Sequence, residues 1–339
     1  MTAGGPWYET VVLDSEQERK VAALQDAVAD LLADSAAHRA FCTRGTYIRY
    51  LRARSWSLSR ATKMLRETLK WRAEYHPERL CWENIQHEGA RGKLFILDHP
   101  DNDGRPVVLM RPRLEQVYSG DSDERVKWLV YTLEQASRVA DASAADGKMT
   151  WLIDFVGYNR ANSPPLKVSL QVLHILQNHF PERLGRAVSY KPPLLFNVLW
   201  KAVSPFVDPL TRDKLVFLSP KSPPEALAKH FNPAHIDDSL GGQIPIADLW
   251  SFDKYGQRMA ELDVQAGAAL AAAAAAPAPP APAARRSPLP SDSATELGGA
   301  SPGGSGGKAQ QSGRRALTAE EEVAERALEE EFERNVVVM

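Results

Sequence analysis

Cysteine is scarce in this chain: Cys42 and Cys81 are its two, among 339 residues. That excludes a disulfide framework and a zinc or redox spacing, and leaves two reduced thiols as the expectation. Neither sign of charge is in excess, with Lys+Arg 41 against Asp+Glu 43 and a net charge of −2. The chain as a whole therefore lacks the basic footprint of a nucleic-acid binder. No unbroken apolar run is long enough to cross a bilayer, because the tract 266–284 is cut by Pro277, Pro279, Pro280 and Pro282. Residues 1–14 lack the basic start and apolar run of a signal peptide. Catalytic signatures are missing too. There is no G-x-S-x-G elbow, no H-E-x-x-H and no paired-carboxylate motif, and the eight histidines are scattered. Gly303–Lys308 (GGSGGK) fails as a phosphate loop, with Pro302 where a glycine is needed and Ala309 where a hydroxyl is needed. The expectation is a soluble, cytoplasmic, monomeric protein that is not an enzyme and holds no metal.

What is present is ample material for a core, at 44% hydrophobic residues. Val21, Leu24, Val28, Leu31 and Leu32 recur at helical steps and predict a helix over 15–32. A short helix follows over 46–53, and a third starts at the N-cap candidate Ser57, with Leu58, Ala61, Leu65 and Leu69 on one stripe. The segment from Arg44 to Arg79 holds ten Lys/Arg against three Glu. It reads either as a solvated basic face or as a face for an anionic membrane surface.

Two apolar runs, 94–98 and 106–111, flank His99-Pro-Asp-Asn-Asp-Gly104 and predict a β-hairpin. Asp121-Ser-Asp-Glu124 predicts the capped start of a long helix. Met149–Val156 reads as a central strand buried on both faces. Ser163-Pro164 predicts another helix start, and strands follow near 186–190 and 215–218. Strand–helix–strand units imply crossovers and parallel pairing. The fold class is therefore α/β, a mixed sheet flanked by helices behind an all-helical unit.

Between Pro193 and Pro205 lies a segment that is apolar nearly all round, with only Asn197, Lys201 and Ser204 polar in Leu194–Ser204. Such a helix is buried or faces lipid, and it is too short to span a bilayer. A plain core helix is one reading. The order of phrases offers a second. Pro181-Glu-Arg183, the apolar segment, Pro205-Phe-Val-Asp-Pro-Leu-Thr211 and Lys214-Leu-Val-Phe-Leu218 resemble the CRAL-TRIO family, in its phosphatidylinositol-transfer, Sec-fourteen-type branch. The phrases Tyr50-Leu-Arg-Ala-Arg54-Ser-Trp56 and Lys70-Trp-Arg72 resemble that family's helical N-terminal domain. The resemblance runs from about Thr43 to Leu249.

The resemblance implies an apolar cavity for a bound phospholipid, phosphatidylinositol above all. The apolar segment, with Phe196, Leu199, Trp200 and Val203, would be its gate. It also implies headgroup-binding residues: Arg54, Asp101, Glu182, Arg183, Thr211 and Lys214. Cations can pair with the phosphate diester there, and Glu182, Asp101 and Thr211 can bind inositol hydroxyls. Two departures stand out. Ser55 replaces a second basic residue, and Met149, Trp151, Leu97 and Val108 occupy positions where yeast-type members hold phosphatidylcholine through hydroxyls. The implied function is lipid transfer or presentation, with transient membrane contact (Golgi or endosomal surfaces included) and no nucleic acid. The alternatives are a regulatory or tethering module on the same fold, or a carrier of another hydrophobic molecule.

The expected organisation is a helical domain over 15–80, a lipid-binding domain over 85–255, a disordered linker over 266–316 and an acidic helix over 317–335. Ala, Pro, Gly and Ser runs mark the linker, and eight Glu between Glu320 and Glu333 mark the last helix.

Overall fold

The computed structural model describes residues 5–115, 122–193, 196, 200–201, 204–207, 209–219, 221–223 and 225–276. The expected acidic helix and most of the expected linker lie outside them. Six helices come first: α1 (Trp7–Thr10), α2 (Ser15–Asp26), α3 (Ala29–Ala33), α4 (Ala36–Phe41), α5 (Arg44–Arg52) and α6 (Leu58–Tyr75). Asp14 starts α2 through a reciprocal capping box with Gln17. The helix expected over 15–32 breaks at Val28, whose φ of −120° leaves the helical region. The break lets Val28, Ala29 and Leu32 all turn inward, where each is buried. Ser57 precedes α6 as expected, yet its hydroxyl makes no capping bond. At the other end His76 takes a left-handed φ of 55° and Pro77 follows, which stops the helix. Leu24, Ile48, Tyr50, Leu51, Leu65 and Leu69 close the core of this unit.

Helix α7 (Trp82–Gly89) leads into a five-stranded sheet of β1 (Leu94–Ile96), β2 (Val107–Met110), β3 (Met149–Asp154), β4 (Leu184–Tyr190) and β5 (Leu215–Leu218), ordered as in the chain. Strands β1 and β2 form the expected antiparallel hairpin, and the other neighbours pair in parallel. Helix α8 (Ser122–Ser143) joins β2 to β3, and α9 (Leu166–His179) joins β3 to β4. Asp121 of the expected α8 cap lies outside the described residues. Helix α9 begins after Pro165, two residues later than Ser163-Pro164 suggested, since proline suits the start of a helix. Pro209–Arg212 is one helical turn, with Pro209 at its first position.

The largest departure follows residue 251. The expected domain ends at 255 and the expected linker begins at 266, but Phe252–Ala275 is one helix. Ala has the highest helix propensity, and the first proline comes only at Pro277. This helix is docked: Tyr255, Gly256 and Met259 are buried. A Cβ on Gly256 would meet the Trp82 indole at 2.7 Å, so glycine sets that close approach. Asp263 accepts from the Trp82 backbone N–H at 2.7 Å and the Tyr131 hydroxyl at 3.2 Å. Farther along, Arg39 Nε donates to Ala273 O at 3.0 Å. A chain ending at Ala276 should therefore keep the full thermal transition, whereas one ending at Leu262 should melt several degrees lower. Equal melting temperatures in differential scanning calorimetry would show that the second half of the helix contributes nothing.

Candidate functional site

The two faces of the sheet are covered unequally. Across the register one row runs Phe95, Leu109, Leu152, Val188 and Val216. Its first four side chains are almost wholly buried, and Trp250 packs on Phe95 with ring centroids 4.6 Å apart. Buried Arg111, which also reaches Asp154, is ion-paired to Asp237 and ties the 225–250 segment to the end of β2. The opposite face carries the rows Ile96, Val108, Trp151, Ala187, Leu215 and Leu94, Met110, Ile153, Ser189, Phe217. Here Met110, Trp151, Ile153 and Leu215 are only half-buried, and Phe217 is 43% exposed. A partly uncovered apolar sheet face is the kind of surface from which ligand cavities are walled.

Over that wall come two aromatics of the proline-walled segment. Phe196 lies 4.5 Å from Phe155 and 6.1 Å from Phe217, and Trp200 lies 5.6 Å from Phe217, centroid to centroid. Leu199 and Val203 fall outside the described residues. The segment is entered through Lys191, whose φ of 50° is left-handed.

The charged residues gather elsewhere, at the edge where the four parallel strands begin. Asp101 is buried and fully used: its Oδ1 accepts from the backbone N–H of Asp103 and of Arg105, and its Oδ2 accepts from the Thr150 hydroxyl at 2.6 Å. Glu182, at a left-handed φ of 57°, pairs with Lys148 at 3.1 Å. Arg183 is buried and grips Asp141 through both terminal nitrogens, at 2.6 and 2.7 Å, while also donating to Gly147 O. Burial raises the Asp141 carboxyl pKa, but hydrogen bonds from Arg183 and its charge reverse this and hold it below the usual range. Thr211 and Lys214 bracket the loop into β5, with Lys214 N donating to Thr211 O at 3.1 Å. Arg54 stands apart on the turn after α5, where it donates to Ala53 O at 2.9 Å. No hydrogen bond or ion pair among the described residues joins it to that edge. Sequence reasoning missed Arg105, Lys148 and Arg186 at the same edge, though the Asp-Gly-Arg105-Pro phrase pointed to the first. Arg105 pairs with Asp146 at 3.0 Å and Arg186 with Asp103 at 3.2 Å.

An uncovered apolar wall, aromatics over it and a charged edge beside it sit on a recognisable chain. Residues 90–242 match the CRAL/TRIO domain, and residues 20–67 match the CRAL/TRIO N-terminal domain. The chain belongs to the CRAL-TRIO family. Among its relatives, the CRAL-TRIO domain-containing protein C23B6.04c of Schizosaccharomyces pombe is 32% identical over 224 residues, covering 66% of this chain and 21% of that protein. Phosphatidylinositol transfer protein PDR17 of Saccharomyces cerevisiae is 31% identical over 212 residues, or 59% of this chain and 57% of PDR17. The match thus spans a fifth of one relative and a little over half of the other. The crystal structure of Sfh5 superposes with a TM-score of 0.58 at 16% identity, covering 75% of this chain and 96% of Sfh5, a likeness of fold.

In this CRAL-TRIO protein the N-terminal helices meet the rest across a polar cavity of about 220 Å³, lined by Arg49, Arg72, Glu134, Asp141, Arg183 and Asp263 among others. Charged walls make it a poor place for acyl chains. Arg49 Nη1 donates across it to Pro181 O at 3.2 Å, tying α5 to the Pro181-Glu-Arg183 turn. His179 lines the same cavity, stacked on Trp71 at 4.3 Å with planes 6° apart and with Nδ1 3.1 Å from the Thr68 hydroxyl. Burial, with the charges of His174 and Arg72 adding to it, pushes the His179 pKa down to about 3.

A pH dependence follows. Unfolded, the ring takes up a proton below about pH 6.5, its ordinary value; folded, it stays neutral until about pH 3. Between those values the unfolded state binds more protons, so stability falls as pH falls, by at most about 1.4 kcal/mol per pH unit from this group. Urea melts at pH 7 and pH 5 should show the loss, and His179→Gln should shrink it. An unchanged slope in the variant would assign the loss to other groups.

No helix among the described residues is long and apolar enough to cross a membrane.

Proposed function

We propose that this protein binds a phosphoinositide-class phospholipid, with phosphatidylinositol favoured, and carries or presents it between membranes. The observation that carries this reading is the contrast between the sheet's faces, one sealed and the other apolar but open beneath Phe196 and Trp200. A closed core would cover Phe217, Trp151 and Ile153 as fully as Leu152 and Val188. Sheltering about 30 methylenes on that wall at ~0.8 kcal/mol each is worth on the order of 25 kcal/mol. A lipid so held does not escape into water on a useful timescale. Exchange then takes place at a membrane, with the Phe196–Trp200 segment as the moving cover and its apolar surface entering the interface.

The kinship with a phosphatidylinositol transfer protein supports the choice of ligand. In this reading Lys214, Thr211 and Glu182 meet the headgroup at the strand-start edge, from which Arg54 stands apart. Asp101 and Arg183, whose bonds are taken up within the protein, hold the hairpin turn and the Pro181-Glu-Arg183 turn in place. The binding chemistry asks for no resident cofactor and no catalytic residue.

Native mass spectrometry of the purified protein tests the reading. The expected spectrum shows a phospholipid adduct, and Trp200→Ala should slow lipid transfer between vesicles without lowering the melting temperature much. An empty pocket that stays empty after incubation with vesicles would overturn the function. Unchanged transfer with early melting would make the segment ordinary core.

A further inference from the structure

The rows of the open face hold one polar side chain, Ser189, the last residue but one of β4, in register with Ile153 and Phe217. It is 5% exposed, and its hydroxyl makes no hydrogen bond among the described residues. Small Ala187 lies two residues back on the same face, and Phe217 beside it is the ring against which Phe196 and Trp200 pack. A hydroxyl with no partner in an apolar wall is unfavourable unless something in the cavity accepts its proton. Acyl methylenes cannot accept one.

Its height on the wall suggests what can. Lys214 and Arg186 each stand one residue before the first β4–β5 pair, Ala187 with Leu215, and so mark the height of the charged edge. Ser189 and Phe217 lie three residues farther along, about 10 Å at 3.3 Å per residue. That is the reach from a headgroup ring at the edge, past its phosphate, to the glycerol ester oxygens. The apolar pair Ala187 and Leu215 lines the stretch between, and the acyl chains would continue past Phe217 under the cover.

We propose that Ser189 is a specificity residue of this cavity, donating its hydroxyl proton to an ester carbonyl of a diacyl glycerolipid and so favouring ester-linked over ether-linked lipids. The inference rests on the phospholipid reading above. It differs from it in predicting the linkage rather than the headgroup.

The test presents the whole protein with vesicles holding equal amounts of diacyl and dialkyl-ether phosphatidylinositol of matched chain length, followed by extraction and mass-spectrometric quantitation. Wild type should load the diacyl form about three- to tenfold over the ether form, the range of one neutral hydrogen bond. Ser189→Ala should bring the ratio to one by losing diacyl load. A wild-type ratio of one, or a Ser189→Ala ratio equal to wild type, overturns the assignment while leaving the lipid reading intact. If neither lipid loads, the lipid reading itself fails and the assignment falls with it. Total load thus reports on the function and the ratio reports on Ser189.

Discussion

Incubated with vesicles of equal phosphatidylinositol and phosphatidylcholine content, the protein should come away with phosphatidylinositol in at least about a hundredfold excess. Leu97, Val108 and Met149 are buried, and Trp151 lines the open wall. A choline phosphate placed among them would find no hydroxyl donor. Two unmet hydrogen bonds at roughly 1–3 kcal/mol each give a factor of that size. The edge near Lys214 and Glu182 offers the opposite, a cation for the phosphate and a carboxylate for ring hydroxyls. Lys214→Ala combined with Glu182→Ala should abolish phosphatidylinositol loading while circular dichroism stays native. The pairing of Glu182 with Lys148 is partly exposed, and its loss alone costs little stability. Substantial phosphatidylcholine in the wild-type pocket would refute the exclusion. Undiminished phosphatidylinositol in the double variant would remove the headgroup from this edge.

Arg72→Met should lower the unfolding free energy by about 3–5 kcal/mol, a large part of the 5–15 kcal/mol typical of a domain. Arg72 on α6 holds Glu134 on α8 through two hydrogen bonds, at 2.8 and 3.1 Å, and its guanidinium lies 4.1 Å above the Phe41 ring. The Arg72 side chain is 4% exposed and that of Glu134 12%. Burial pushes the Glu134 pKa up, but the charge and hydrogen bonds of Arg72, with the charges of Arg138 and Arg183, together outweigh this and leave it below its usual value. Without Arg72 the ion pair left to the carboxylate among the described residues is that with Arg138, at 3.9 Å. Arg72→Met with Glu134→Leu should recover most of the loss, because the remaining cost was the stranded charge. Chemical denaturation of the two single variants and the double variant measures this. If the double variant is as unstable as the sum of the singles, the pair is not coupled.

Local pattern announced most of the sheet. The strand Leu215–Leu218, the hairpin and the β-branched and aromatic run at Met149 carry their own signals of turn and alternation. Helix α6 did so through Ala61, Leu65 and Leu69. What escaped was nonlocal or neutral in pattern. The helix Phe252–Ala275 reads as linker because alanine is common to both, and what docks it is Asp263 meeting Trp82 and Tyr131, more than a hundred residues away in the chain. Asp141 and Thr150, the partners of Arg183 and Asp101, lie 42 and 49 residues away, beyond any local pattern, so their family phrases gave an address at the edge without showing that their bonds are spent inside the protein. The unequal covering of the two sheet faces depends on what packs above each row, which no periodicity records.

The clasp of Arg39 on Ala273 bears on the order in which the protein is made. The two residues lie 234 apart in the chain, so α4 gains this partner only once the helix Phe252–Ala275 has been made. Chains leave the ribosome N-terminus first, and contacts of long sequence separation form late. The N-terminal unit, synthesised earliest, would then be among the last to reach its final stability. Emergence of the helix Phe252–Ala275, rather than of the N-terminal helices alone, would set the moment at which the molecule becomes resistant to proteolysis.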